Sequence, residues 1–521
     1  MNLSVVVLLM VAAAAERPSA AVVPFESAVP AVAPSRIDVL VFAKHQQLGI
    51  VRANPCSDEV FVRRAYLDVI GTLPTADEVK AFLKDTDSEK RRKLIDALLE
   101  REEFADYWAM KWSDLLRIKA EFPINLWPNA AQAYHRWVRT AIRDNMPYDR
   151  FARELLCSSG SNFRVPQVNF YRAVQSRDPG TIAQAAALTF MGQRADKWPK
   201  ERQEQLAAFF SQIGYKTTIE WKEEIVRFDP DLAEGRSARR PTVFPDGAKA
   251  AVAAGQDPRE VFADWLTRAD NPFFARAIVN RIWAWLLGRG IVHEPDDFRP
   301  DNPPSNPELL AYLEGELVRN RFDLKHVYRL ILNSQTYQLS SISKGRHPQA
   351  ESQFAYYVPR RLEAEVLIDA INQITGTTEK YSSAIPEPFT FIPENCRSIA
   401  LPDGSITSSF LELFGKPPRD SGLESERNNR LTAAQRLHLL NSSHIQRKID
   451  SMVSHLLSRR TSGQPREIAE ALYLAILSRY PTADEWQAIA RYAQGGKQAG
   501  REVAADLAWA LINSTEFLYR H

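Results

Sequence analysis

The chain has 521 residues, 45% of them hydrophobic and 25% charged, which is room for two to four domains with real cores and far from a disordered composition. Lys plus Arg, 66, nearly balances Asp plus Glu, 64, for a formal net charge of +2, which argues against a dedicated nucleic-acid binder. Three cysteines, Cys56, Cys157 and Cys396, are too few for a disulfide framework, a four-Cys zinc site or a ferredoxin cluster.

The first stretch, Met1–Ala15 (MNLSVVVLLMVAAAA), has the length of a signal-peptide apolar region and ends in Ala13-Ala14-Ala15, so it reads as the signal peptide of an exported protein. It is too short to span a bilayer. No Lys or Arg precedes the run, so its n-region is weak, and no Cys follows at a lipid-attachment position. Residues 16–35 are rich in Pro, Ala and Val and read as an extended leader. No later segment is long and apolar enough for a transmembrane helix.

Beyond Ser35 the period is helical. Val60, Leu67 and Ile70 belong to an amphipathic stretch that Gly71 should stop from the C′ position. Thr75 then caps a new helix, with Glu78 completing a capping box, and the same letters (PTADE) return with Thr482 and Glu485. Phe104, Trp108, Trp112 and Leu115 fall on one helical face and read as core, as do Tyr134, Trp137, Val138, Ala141 and Ile142. Asp178, Asp257, Asn271 and Asn306 each stand before a Pro, a capping residue followed by Pro at N1. Lys216 to Phe228 alternates in part, as a hairpin strand does. The expected fold is therefore mainly α. It has an N-terminal helical domain over 36–228, a connection over 229–256 and a C-terminal helical domain over 257–521. Minor β-hairpin content and one long ordered loop over 375–429 complete it.

Residues Asn271 to Ser341 (NPFFARAIVNRIWAWLLGRGIVHEPDDFRP and onward) carry a resemblance, joined by Arg360-Arg361-Leu362-Glu363-Ala364-Glu365, Phe414-Gly415-Lys416-Pro417 and Leu437-His438-Leu439-Leu440-Asn441. The segment Arg63 to Pro74 (RRAYLDVIGTLP) adds a match upstream. Together these resemble the paired domains of unknown function found in large exported proteins of planctomycetes and related bacteria. The resemblance implies an association with cytochrome-c-like modules, and it implies a Cys-x-x-Cys-His loop in the N-terminal domain. Here the flanks of that loop stand at Leu188 to Gly192 and Asp196-Lys197-Trp198, with only Gln193-Arg194-Ala195 between them. Two thiols and an axial imidazole are missing, so no covalent haem is expected and no cofactor is expected in its place.

Catalytic signatures are sparse. There is no Gly-x-Ser-x-Gly elbow, Cys157 ends an apolar face, and the nine histidines fall into no metal-binding spacing. His135, between Tyr134 and Trp137, reads as a packed histidine. His293, Glu294, Asp296 and Asp297 form a weak candidate for a hard cation. Arg360, Arg361, Glu363 and Glu365 open a helix, while Glu424, Glu426 and Arg427 lie in the long loop. These seven are either a buried polar network or the lining of a polar ligand pocket. The basic run Lys90 to Lys93 has acidic neighbours at helical spacing, and neither it nor Arg236, Arg239 and Arg240 has interleaved aromatics, so no nucleic-acid partner is expected. The expectation for function is a non-catalytic exported protein that binds a partner or ligand in a cell-surface or periplasmic assembly. The competing expectation is an extracytoplasmic hydrolase working with carboxylates of the long loop.

Overall fold

The computed structural model describes residues 21–232, 242–392, 395–458, 465–495 and 500–521. The segment Met1–Ala15, expected as a signal peptide, and the connection arginines Arg236, Arg239 and Arg240 lie outside the described residues. Helices dominate, with a three-stranded and a two-stranded sheet, so the fold is mainly α. Among the described residues no helix is long and apolar enough to cross a membrane.

Local chemistry sets most helix ends. Thr75 accepts from the Glu78 amide while the Glu78 carboxylate returns to the Thr75 amide, and Thr482 and Glu485 repeat the exchange. Gly71 ends helix Asp58–Ile70 in the left-handed conformation at φ 60°. Asp178, Asp257 and Asn306 cap as expected. Asn271 does not sit directly before its helix, which begins at Phe274. Its side chain instead accepts from the Phe273 and Phe274 amides at the helix entry, two residues later than expected.

Helix Glu102–Leu115 is the axis of the molecule, with Phe104, Trp108, Trp112 and Leu115 all buried. Trp108 packs on Tyr328 and Trp285, ring centroids 4.6 and 5.2 Å away, so the aromatic stripe meets residues from the second half of the chain. One continuous hydrophobic core runs from Ile37 to Leu518. The stretch read as an extended leader is tied to this body from Val22 onward. Glu26 bridges to Cys56 and its buried carboxylate meets Lys344 at 2.9 Å.

The segment expected as a hairpin strand holds the end of one strand, a turn and a second strand. Ile213–Thr217 pairs antiparallel with Glu224–Phe228, and Gly160–Ser161 adds to the other side of the latter. The small second sheet pairs Arg360–Arg361 with Tyr519–Arg520, which brings the chain end onto the start of helix Ala364–Thr375. The long loop 375–429 is ordered by short pieces, the turns Ser398–Ala400 and Glu424–Glu426 and the helix Ser409–Leu413, and by a bridge between Ser382 and Thr407.

Candidate functional site

The site is built where helix Glu102–Leu115, the start of helix Ala364–Thr375 and the loop Lys416–Arg430 converge. Arg427 donates two bonds to Glu365 (2.7 and 3.1 Å) and two to Asp114 (2.7 and 3.1 Å). Asp114 also accepts from Arg419 at 2.9 Å, so two guanidinium groups and two carboxylates form a neutral quartet. Burial alone would raise the Glu365 carboxyl, but Arg427 outweighs it and holds the group below the ordinary carboxylate range.

A second cluster adjoins the first. Glu363 accepts from Lys111 at 2.7 Å and from Arg520, and with Arg520 and Lys111 beside it its carboxyl lies well below the ordinary range despite complete burial. Arg520 also reaches Asp68 at 3.2 Å, where Tyr337 and Tyr357 donate their hydroxyls at 2.9 and 2.8 Å and Arg360 stands at 3.3 Å. Arg360 further donates to the Trp285 and Leu286 carbonyls. Arg361 makes no ion pair among the described residues. Its guanidinium ties the loop through the carbonyls of Phe414, Asn428 and Asn429.

The loop carboxylates behave differently. Among the described residues Glu426 has no guanidinium partner: its Oε1 accepts from the Asp420 and Ser421 amides at 3.1 and 3.2 Å, so it shapes the loop backbone. The Glu424 amide donates to Asp296 at 2.7 Å, and burial raises the Glu424 carboxyl above its ordinary value.

The acidic segment from His293 to Asp297 does not gather around one point. Asp296 turns inward onto the fully buried Arg281 at 2.6 Å, Asp297 pairs with Arg299 at 3.1 Å, and His293 and Glu294 stay at the surface. Arg281 neutralises the carboxylate that a cation would need. Among the described residues no group of three or more His, Cys, Asp or Glu is arranged to hold a metal ion. The three cysteines are free, with burial pushing the thiols of Cys157 and Cys396 up to about 12 and about 11, out of the reactive range. His135 is packed, and burial pulls it down to about 3.

Arg281 has another duty. Helix Pro179–Ala186 widens into a π-helical turn over Ala187–Met191, and Arg281 donates to the Leu188 and Thr189 carbonyls that this turn leaves open. The chain then reverses at Gly192 (φ 61°), where a Cβ would stand 2.9 Å from the Phe298 ring. Gln193, Arg194 and Ala195 follow and line a cleft of about 310 Å³ together with Arg117, Asp420 and Leu423.

Residues 36–214 match the family model described as PSCyt2: Protein of unknown function (DUF1549), and residues 258–493 match that described as PSD1: Protein of unknown function (DUF1553). The chain pairs these two domains. No curated protein and no solved structure matches it. Asp68, Lys111 and Asp114 come from the DUF1549 domain, and Arg360, Glu363, Glu365, Arg419 and Arg427 come from the DUF1553 domain. The ion pairs therefore staple one domain to the other, and Arg520, beyond both matches, closes the gap between Glu363 and Asp68.

Sequence reading missed Lys111, Asp114, Asp68 and Arg520. Tyr107, Lys111 and Asp114 share a face at helical spacing, a polar stripe on a helix whose aromatic stripe already accounts for its packing, and that was the available signal. Arg520 carries no local signal at all.

Proposed function

We infer that this is an exported, non-catalytic helical protein that binds a partner or ligand in a cell-surface or periplasmic assembly, without covalent haem. The observation that carries the reading is the commitment of five buried carboxylates. Asp68, Asp114, Asp296, Glu363 and Glu365 are each bound to at least one guanidinium or ammonium group. A carboxylate in a hydrolase must meet substrate and exchange a proton with it, and one neutralised under a packed loop does neither. Rigid stapling of two domains instead supports a preformed binding surface, whose affinity is not spent on ordering the protein.

Burial raises the proton affinity of Glu424, as it does for Asp369, Asp403 and Glu426, and of these Glu424 is the loop carboxyl beside Lys111 on which a general-acid role is tested. The full chain incubated with a panel of extracellular polysaccharides is expected to release no new reducing ends. Release that disappears in Glu424→Gln would overturn the non-catalytic reading. Export is tested by a reporter fused behind Met1 to Ser35, with secretion expected and cytoplasmic retention refuting it.

A further inference from the structure

Arg117 is the charged group that the network leaves out. It is 4% exposed and follows directly on the central helix, yet it forms no ion pair among the described residues. Its Nε donates to the Ser421 carbonyl at 3.1 Å, while its buried Nη1 has no partner. Gly422 makes room for it: at φ 75° it lacks the Cβ that would stand 2.8 Å from Nε. An arginine buried without its own carboxylate costs stability, and burial pulls this guanidinium down to about 10. Arg117 lines the cleft of about 310 Å³ beside Gln193, at the lower end of the volumes that hold small molecules.

The other lining groups define the chemistry. Gln175, Gln184 and Gln193 line the cleft, and their side-chain amides make no hydrogen bond of their own among the described residues. Arg194 also lines it, and its buried Nε makes no hydrogen bond among the described residues but stands 4.0 Å from Asp297 as a long ion pair. Of the charged lining residues, Arg117, Arg194 and Lys197 face Asp196 and Asp420, a net charge of 3 − 2 = +1. Asp420 is already taken by Lys119 at 2.7 Å. Such a lining suits a monoanion with many hydroxyls rather than a dianionic phosphate, since each amide can both donate to and accept from a hydroxyl.

We propose that this cleft binds a hydroxyl-rich monocarboxylate, the chemistry of a uronic-acid sugar, with the carboxylate on the Arg117 guanidinium and the hydroxyls on the amides of Gln175, Gln184 and Gln193. The proposal rests on the ligand-binding reading above and names its ligand class. It differs from that reading in its test, because a polysaccharide can be held elsewhere on the surface without this cleft.

The experiment titrates the full purified chain with sodium glucuronate at low salt by calorimetry, with glucose and inorganic phosphate as controls. Saturable glucuronate binding is expected, with glucose and phosphate each at least about tenfold weaker. Arg117→Gln should abolish it. Because that buried change can also impair folding, Gln193→Glu is the second variant. Gln193 is half-buried and its side chain makes no hydrogen bond among the described residues, so the variant should melt like the parent while losing at least about tenfold in glucuronate affinity through the added negative charge. No saturable glucuronate binding, an equal response to phosphate, or unchanged affinity in Gln193→Glu would overturn the proposal. In each of those cases the absence or presence of new reducing ends would still decide the broader reading separately.

Discussion

Removing Glu365 tests the stapling directly. The quartet of Arg419, Arg427, Asp114 and Glu365 is neutral, and the Arg427 and Glu365 side chains are 5% and 1% exposed. Glu365→Ala leaves one positive charge unbalanced in a buried site. Breaking a buried pair by deleting one partner costs about 3–5 kcal/mol, and the lower end applies because Arg427 keeps Asp114. Equilibrium denaturation should therefore show a loss of about 3 kcal/mol in Glu365→Ala. The double variant Glu365→Ala with Arg427→Met should recover part of it, since the stranded charge has gone. Lys80→Ala, which breaks an exposed pair at 3.8 Å, serves as the control and should leave the midpoint unchanged. Acid should act in the same direction. The Glu365 carboxyl is held below its unfolded value, so its contribution is present above about pH 4 and is lost as pH falls through the lower folded value. Glu365→Gln should flatten that acid limb. A loss under about 1 kcal/mol in Glu365→Ala, or a double variant as unstable as the two single losses added together, would refute the claim that this quartet binds the domains.

Asp369 should produce the opposite pH dependence. Burial raises it from 3.8 to about 6, so the folded state holds its proton more tightly and stability falls by about 3 kcal/mol as pH rises from 4 through 6; Asp369→Asn should erase that slope in denaturation midpoints measured across this range. Gly192→Ala forces a side chain into the left-handed region and against Phe298, and should lower stability by at least about 1–2 kcal/mol in thermal or chemical melts. Glu426→Ala removes the acceptor of two loop amides, with an expected loss of about 1–3 kcal/mol and raised amide hydrogen exchange at Asp420 and Ser421. Unchanged exchange at those two amides would show that Glu426 does not hold the loop.

How legible the molecule was in its sequence depends on the range of the interaction concerned. The sequence marks Glu424, Glu426 and Arg427 as polar groups in a long loop and Arg360, Arg361, Glu363 and Glu365 as the start of a helix, but it does not specify their partners. Glu426, a candidate for a polar network or a pocket lining, binds the backbone amides of Asp420 and Ser421. Arg361, a candidate of the same kind, gathers three backbone carbonyls. The choice between a carboxylate and a backbone partner is made by where the loop closes, and nothing within a few residues of either side chain specifies that. The acidic segment at His293 shows the same limit: its composition suits a cation, and only the arrival of Arg281 from a neighbouring helix withdraws Asp296 from it.

The amino-acid order alone fixed the helical class, the capping boxes at Thr75 and Thr482, the stop at Gly71 and the aromatic stripe of the central helix, because each depends on side chains three or four positions apart. Tertiary structure alone decided that Asp68, Lys111 and Asp114 would face Arg520, Glu363 and Arg427, hundreds of residues away, and that Arg117 would be buried without an ion-pair partner beside a cleft. Burial strengthens the electrostatic interactions that water would screen, and which charges are buried together is set by the packing of the whole chain.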